Sequence, residues 1–529
     1  MRVLLVSGLG PEIKNHQYLA GSLLDPNDAD ARAWYERIWP GLALNSLVHP
    51  DGRRLLRPRR YEVPHLTTLT LAAILDGARV GYEWLDTTTI WNDAVPTCSD
   101  DFDVVLLSTT FIWDWATLRR AVVWLHQRWS NATLVLGGQY SNLKFARVLR
   151  SCPEVSYVLR GDAEQALPAL IAALASGSGV DGVPNLVGRG ISGRVAINPI
   201  AYADLNAGPS PVLAGTIPVV PYESMRGCPF RCGFCSFPHA SPRWRHRSPA
   251  RIAEDWGRYK QTNATTLVKA MDSTFTVPPA RMRALFRSLP QLGVRWEAYS
   301  RSDVIIDREY VDRLEQSNCA SLSFGFESMN DVTLVKMKKG VTVADNRRAH
   351  ELLSQSGLGY RCSFMVGYPG ETPADYQPTQ DFITREFEGY LIMSVFSLQD
   401  ETMPVWKEAD RYGLVVGNGE DYDYAWSHTG MDEGKARVLL NETLDQVRRR
   451  NDNAVLMHWQ ALYEHPLLPL RSRAENLAVE KAIERLGMVH RDYPEDQAAR
   501  DAIGRQLAVL AAHGIQLGEP RGDERRCVS

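Results

Sequence analysis

The sequence predicts an α/β protein in three parts: an N-terminal doubly wound parallel sheet, a central (β/α) full or partial barrel, and a mainly helical C-terminal region. Three observations predict it. Continuous apolar runs alternate with helical patterns over 2–175, the texture of a parallel sheet covered on both faces. The alternation resumes at 247 and continues to 371, as a barrel requires. Past about 410 helical periodicity dominates. At 529 residues the chain exceeds one ordinary core, so several domains are expected.

The elements follow in order. RVLLVS (2–7) reads as a buried strand, followed by the turn at Gly8–Pro11 and a long polar, aromatic loop to about Arg60. HLTTLTLAAILDGAR (65–79) is a helix and YEWLD (82–86) a strand. DVVLLSTTF (103–111), the helix at 115–129, ATLVLGGQY (132–140) and the strand–turn–helix at 155–174 complete the first sheet. Ligands of such sheets sit beyond the strands' carboxyl ends, where Ser108, Thr109, Thr110, Gly137, Gly138 and Gln139 fall. From 176 to 215 the chain turns rich in Gly, Ser, Pro and Asn, which marks a boundary. The expected division is 1–190, a linker at 191–214, a second domain at 215–410 and a helical region at 411–529.

In the second domain, helices are expected at 247–261, 279–289, 308–317 and 344–356. Strands are expected at 265–272, 294–303, 319–328 and 360–371. A barrel built this way carries its site at the strand carboxyl ends.

Composition narrows the class. The net charge of -3 gives no sign of a basic nucleic-acid-binding surface, although an average does not report a local patch, and no nucleic-acid partner is expected. The N-terminus lacks a signal peptide's long apolar stretch, and no run of about 18 apolar residues exists to span a membrane, so a cytoplasmic location is expected. There, clustered thiols bind metal or do redox chemistry more often than they form disulfides.

Such a cluster stands in MRGCPFRCGFCSFP (225–238), where Cys228, Cys232 and Cys235 have the spacing C-x3-C-x2-C. Zinc wants four ligands, which His239 would complete. Three thiolates instead suit a [4Fe–4S] cluster with one iron left open, and an open position is what a catalytic metal site needs.

This loop, with Phe234 just before the last Cys, resembles the signature of radical S-adenosylmethionine (SAM) enzymes, over roughly 215–400. The resemblance implies that the open iron binds SAM, whose reductive cleavage gives a 5'-deoxyadenosyl radical. It implies further contacts from VKAMDSTF (Asp272), SRSD (Arg301), SLSFGFES (Gly325, Glu327, Ser328) and VGYPGET (Gly367, Pro369), although the family's Gly-Gly-Glu form is absent at Asp272. It also implies an electron donor of flavodoxin or ferredoxin type.

The first part, through LLSTTF, LVLGGQY and VLRGDAEQAL, resembles the Rossmann-like cobalamin-binding domain that precedes many radical SAM cores. Leu9, Gly10, Ser108, Thr109, Thr110, Gly137, Gly138, Gln139, Tyr140 and Gly161 are the contacts this implies. The Asp-x-His-x-x-Gly motif is absent, which implies base-off cobalamin without a His ligand and a dimethylbenzimidazole tail near Gly137 and Gly138.

Together the two resemblances imply a cobalamin-dependent radical SAM methyltransferase that methylates a carbon of a small molecule or peptide in specialised metabolism. A non-methylating cyclisation or rearrangement, and a non-catalytic Fe–S or zinc regulatory protein, are the alternatives. A methylthiotransferase would need further N-terminal cysteines, and only Cys98 and Cys152 are available. In the C-terminal region His428 and His458 are candidates for a substrate wall, though surface or core histidines are commoner. Cys98, Cys152, Cys319, Cys362 and Cys527 read as ordinary thiols.

Overall fold

The computed structural model describes all residues except 12–18, 20, 26–27, 58–62, 191–193, 399–400, 418–424, 458–462 and 520–529. His458 and Cys527 therefore lie outside the described residues.

The short apolar runs become strands because nothing in them favours water on either side. VLLV (Val3–Val6) and VVLLS (Val104–Ser108) are buried at every position. With Tyr82–Leu85, Thr133–Gly137 and Val155–Leu159 they form five parallel strands in spatial order second, first, third, fourth, fifth. An antiparallel pair, Leu186–Arg189 and Val195–Ile197, extends the edge. The second of these falls inside the stretch expected as linker. The run ATLVLGGQY stops being strand at Gly137: Gly138, at φ +98, caps the helix Gln139–Ser151, which takes Gln139 and Tyr140.

The second sheet has seven parallel strands, each beside its predecessor: Val219–Tyr222, Leu267–Ala270, Arg295–Ser300, Cys319–Glu327, Gly359–Val366, Gly389–Val395 and Ala454–Leu456. The first and last strands do not pair, so this is a partial barrel. Its last strand comes from the region expected to be helical. Residues 454–456 are fully buried beside Gly389–Leu391, and burial on both faces overrides the surrounding helical texture.

The expected loop before Arg60 also differs. It contains the helix Ala29–Ile38, capped by Asp28, whose carboxylate accepts from Ala31 N. Leu19, Leu24, Tyr35 and Leu47 of this stretch pack against Ile483, Leu486 and Ile503 of the C-terminal helices Arg473–Gly487 and Asp496–Ala512. The Tyr35 hydroxyl donates to Leu486 O at 2.8 Å. The two ends of the chain thus build one core. Among the described residues no helix is long and apolar enough to cross a membrane.

Candidate functional site

The cysteine loop leaves the carboxyl end of the first barrel strand and is closed at its base. Met225–Arg226 pairs antiparallel with Arg245–His246. Gly227 has φ +76, and a Cβ there would lie 2.8 Å from the carbonyl oxygens of both Ser241 and Arg243. Inside the loop, Gly233 N donates to Met337 O at 2.7 Å, while Gly233 O accepts from Val405 N at 3.0 Å. Cys235 N donates to Cys232 O at 3.1 Å. The loop is therefore held from two sides at its middle residue.

Cys232 is buried, Cys228 and Cys235 are half-buried, and all three are free thiols. Burial pushes the Cys232 thiol up, opposed by the nearby charges of Lys339 and Arg301. Burial raises Cys235 to about 11. A bound cation would have to repay that desolvation before these thiols ionise, and three thiols in one loop are the donor set that a sulfur-binding metal group takes. Among the described residues no three His, Cys, Asp or Glu side chains are gathered closely enough to hold a single metal ion, and this applies to the three thiols as much as to a set completed by His239.

The other expected SAM-side residues separate. Glu327 stands at the strand end with φ +62, at a register shift against the next strand, and its carboxylate pairs with Lys339 Nζ at 3.0 Å. A side chain at Gly325 would meet that carboxylate at 2.2 Å. Lys339 also lies over the Phe234 ring, 5.5 Å from its centroid. The buried Arg301 pairs with Asp303 at 3.0 Å, donates to Gly340 O at 3.2 Å and stacks 3.7 Å over Phe230 of the cysteine loop. Thus Gly325, Glu327, Phe234 and Arg301 gather around the loop.

Asp272 and Ser328 do not present free groups to it. Asp272 accepts from Ser224 N at 2.7 Å, Met225 N at 2.9 Å and the Ser224 hydroxyl, and so ties the second barrel strand to the root of the cysteine loop. Ser328 is buried between Thr379 and Asn330 N. In the VGYPGET turn, Gly367 and Gly370 take φ +89 and +86, and Pro369 is buried. Gly367 N donates to Glu371 Oε2 at 2.7 Å, and burial lifts that carboxyl to about 7. His428 is a structural residue: Nδ1 accepts from Gly430 N at 3.0 Å and Nε2 donates to Gly367 O at 3.3 Å, while its ring stacks on Trp426.

The segment Lys336–Gly340 is what sequence reasoning missed. Its Met337 O, Lys338, Lys339 and Gly340 O brace Gly233, Glu408, Glu327 and Arg301 respectively. The lysine run MKK was its one visible signal.

A second feature lies under the first sheet. A cavity of about 280 Å³ opens at the strand carboxyl ends. Leu66, Leu71, Ile74, Leu106, Val135 and Leu167 form its apolar depth, and Ser108, Thr110, Gln139 and Asn142 its polar rim. The helix Leu66–Gly77 is strongly apolar, yet its residues 66–72 stay only half-buried because the cavity runs beneath them. Gly137, Gly138 and Gly161 line it too; a Cβ at Gly138 would meet Thr110 N at 2.7 Å. The space is large enough for a flat, benzimidazole-sized group. Four expected contacts are not in the lining. Thr109 is buried and bonds Gly137 O at 2.7 Å, and Tyr140 packs in the opposite core. Leu9 O accepts from Thr87 and Trp91, and Gly10 abuts Phe111 O.

The two features share a wall, since Glu223, Arg226, Phe237, Ala240 and Ser241 of the cysteine-loop region also line the cavity. Arg226, two residues before Cys228, reaches Asp162 at 3.1 Å, Glu164 at 2.7 Å and Glu223 at 2.8 Å. Arg245 holds Asp162 from the neighbouring strand. Asp162 and Glu164 open the helix Ala163–Ser176 of the first domain, so these ion pairs fasten that domain to the base of the cysteine loop.

Residues 222–383, which include all three cysteines and the strand ends around them, match the Radical SAM superfamily. The central part of this chain is a radical SAM domain. Across the curated relatives, an uncharacterized methyltransferase of Pyrococcus horikoshii is 26% identical over 266 residues, 48% of this chain and 58% of its own length. An anaerobic magnesium-protoporphyrin IX monomethyl ester cyclase of Synechocystis sp. is 23% identical over 312 residues, 56% of this chain and 60% of its own. The chain thus matches little more than half the length of these relatives.

The fold likeness reaches further than the radical SAM domain. The methyltransferase TsrM of Kitasatospora setae, solved with cobalamin and a [4Fe–4S] cluster, superposes with a TM-score of 0.59 at 15% identity, covering 97% of this chain and 99% of its own. The cobalamin-dependent SAM radical enzyme OxsB, solved with aqua-cobalamin, gives 0.59 at 14% identity, over 98% of this chain and 77% of its own. At these identities the likeness is one of architecture: the first sheet, the partial barrel and the C-terminal helices follow one plan.

Proposed function

We propose that this protein is a cobalamin-dependent radical SAM methyltransferase, with Cys228, Cys232 and Cys235 holding a [4Fe–4S] cluster and the first-domain cavity taking the tail of a base-off cobalamin. The observation that carries this reading is the shared wall: one cavity is lined both by the first sheet and by the root of the cysteine loop. When bound, the cluster with SAM would supply a hydrogen-abstracting radical, and cobalamin the methyl group.

The chain's own residues do the rest. Lys339 and Arg301 offset the negative charge gathered at the thiolates. Glu327 and the VGYPGET turn shape the barrel mouth at which SAM would sit. Gly137, Gly138 and Gly161 leave backbone bare for a large ligand, and Ser108, Thr110, Gln139 and Asn142 offer hydrogen bonds to its amides. The Arg226 ion pairs set the distance between the two cofactors, and that placement is the main demand radical chemistry makes on a protein. The substrate is a small molecule or peptide, and the electron comes from a flavodoxin- or ferredoxin-type donor in the cytoplasm. The resemblance to a ring-forming cyclase favours one second reading, a cyclisation without methyl transfer.

Anaerobic reconstitution with iron, sulfide and hydroxocobalamin tests the proposal through the spectrum and the iron count. A colourless protein holding a lone zinc would sink it. Product mass then separates the two readings: a gain of one CH2 marks methylation.

A further inference from the structure

Tyr368 stands in the VGYPGET turn with its side chain entirely buried. Its ring is pinned edge-on by Phe396, centroids 5.5 Å apart, and by Tyr412 at 6.5 Å. The hydroxyl cannot swing to a new partner, and it has no hydrogen-bond partner in the structure. A buried hydroxyl left unpaired destabilises the fold. The position of the hydroxyl says what it faces: a Cβ on Gly233 would lie 2.1 Å from Tyr368 Oη. The hydroxyl therefore lies against the backbone between Cys232 and Cys235. A tyrosine hydroxyl carries its proton at neutral pH, so the group is a donor.

We propose that Tyr368 Oη donates a hydrogen bond to a sulfur held in the cysteine loop, either a thiolate or a sulfide of the cluster, and thereby raises the cluster's reduction potential. This rests on the cluster reading above. Hydrogen bonds to sulfur are one of the protein's levers on such potentials, because they stabilise the charge added on reduction. The hydroxyl also explains Gly233: no side chain fits between the loop and Tyr368.

The test is an EPR-monitored redox titration of reconstituted protein without SAM, with iron counted in every sample. Tyr368→Phe is expected to keep its iron and to shift the potential to more negative values. Gly233→Ala is expected to lose iron, and Gly233→Ala with Tyr368→Phe to regain part of it, because the nearest remaining tyrosine atom, Cζ, is 3.3 Å from where the added methyl would stand. Full iron with an unchanged potential in Tyr368→Phe overturns the inference, as does loss of iron in that variant. A double variant that regains nothing overturns the placement of the hydroxyl. If the wild-type protein itself takes up no cluster, the proposed function has failed instead.

Discussion

The cysteine loop and the cavity under the first sheet are neighbours built on opposite principles. The loop is crowded and ionic: Gly233 is held by Met337 and Val405, Arg301 stacks on Phe230, and Lys339 pairs with Glu327. The cavity is mainly apolar, with its charged groups confined to the wall of Arg226, Asp162, Glu164 and Glu223, and it has glycines where side chains would intrude. A compact, charged group needs its counter-charges and hydrogen bonds fixed beforehand, because every misplaced charge is costly in a dry site. A large, nearly neutral group needs room and apolar surface. The difference between the regions is the physical basis for proposing a cluster at one and a corrinoid tail at the other.

The comparison breaks most readily at the thiols. Replacing Cys228, Cys232 and Cys235 together by Ala should reduce the iron count from about four per chain to none, while hydroxocobalamin titration of the same protein still shows binding. Loss of both would mean that the cavity has no independence from the loop. Arg226→Met attacks the joint. It leaves Glu164 and Glu223 without their cation, while Asp162 keeps Arg245; this should cost about 3–5 kcal/mol in denaturant unfolding and weaken cobalamin binding. An unchanged midpoint would show that the ion pairs do not fasten the domains.

Gly138→Ala sharpens the contrast from the cavity side. At φ +98, with Thr110 N 2.7 Å from the added carbon, the strain should be about 1–3 kcal/mol. Cobalamin affinity should fall about tenfold or more with iron content unchanged. The smallest effect concerns His428, which burial holds neutral below the ordinary histidine value of 6.5. Its unfolded form takes up a proton first as pH falls, so its contribution to stability is complete above that value and is lost below it. Urea midpoints at pH 7 and pH 5 should therefore differ more in wild type than in His428→Asn.

Much of this was legible along the chain. The fully apolar runs at Val3–Val6 and Val104–Ser108 could only be central strands, and three thiols in eight residues could hardly be anything but a site. Gly137, Gly138 and Gly161 were legible as candidates because each sits at or just beyond a strand's carboxyl end, and all three line the cavity. Asp272 was not: from sequence it is a polar residue at a strand end, and only the fold shows its carboxylate consumed by Ser224 and Met225. Thr109 and Tyr140 likewise lie at the right place in the chain but turn their groups into the protein, while Leu9, its side chain exposed, lends only its carbonyl to Thr87 and Trp91.

What the sequence determined alone is local: strand or helix by the spacing of apolar residues, and a sulfur-rich loop by composition. Tertiary structure decided which distant residues meet. It set Lys339 against Glu327, Tyr368 beneath Gly233, Arg226 among acids of another domain, and Leu19, Leu24, Tyr35 and Leu47 in a core with the C-terminal helices. The reason is physical. Apolar periodicity reports how a segment meets water. Which charged or hydroxyl group answers another depends on packing between segments, and no spacing along one chain records that.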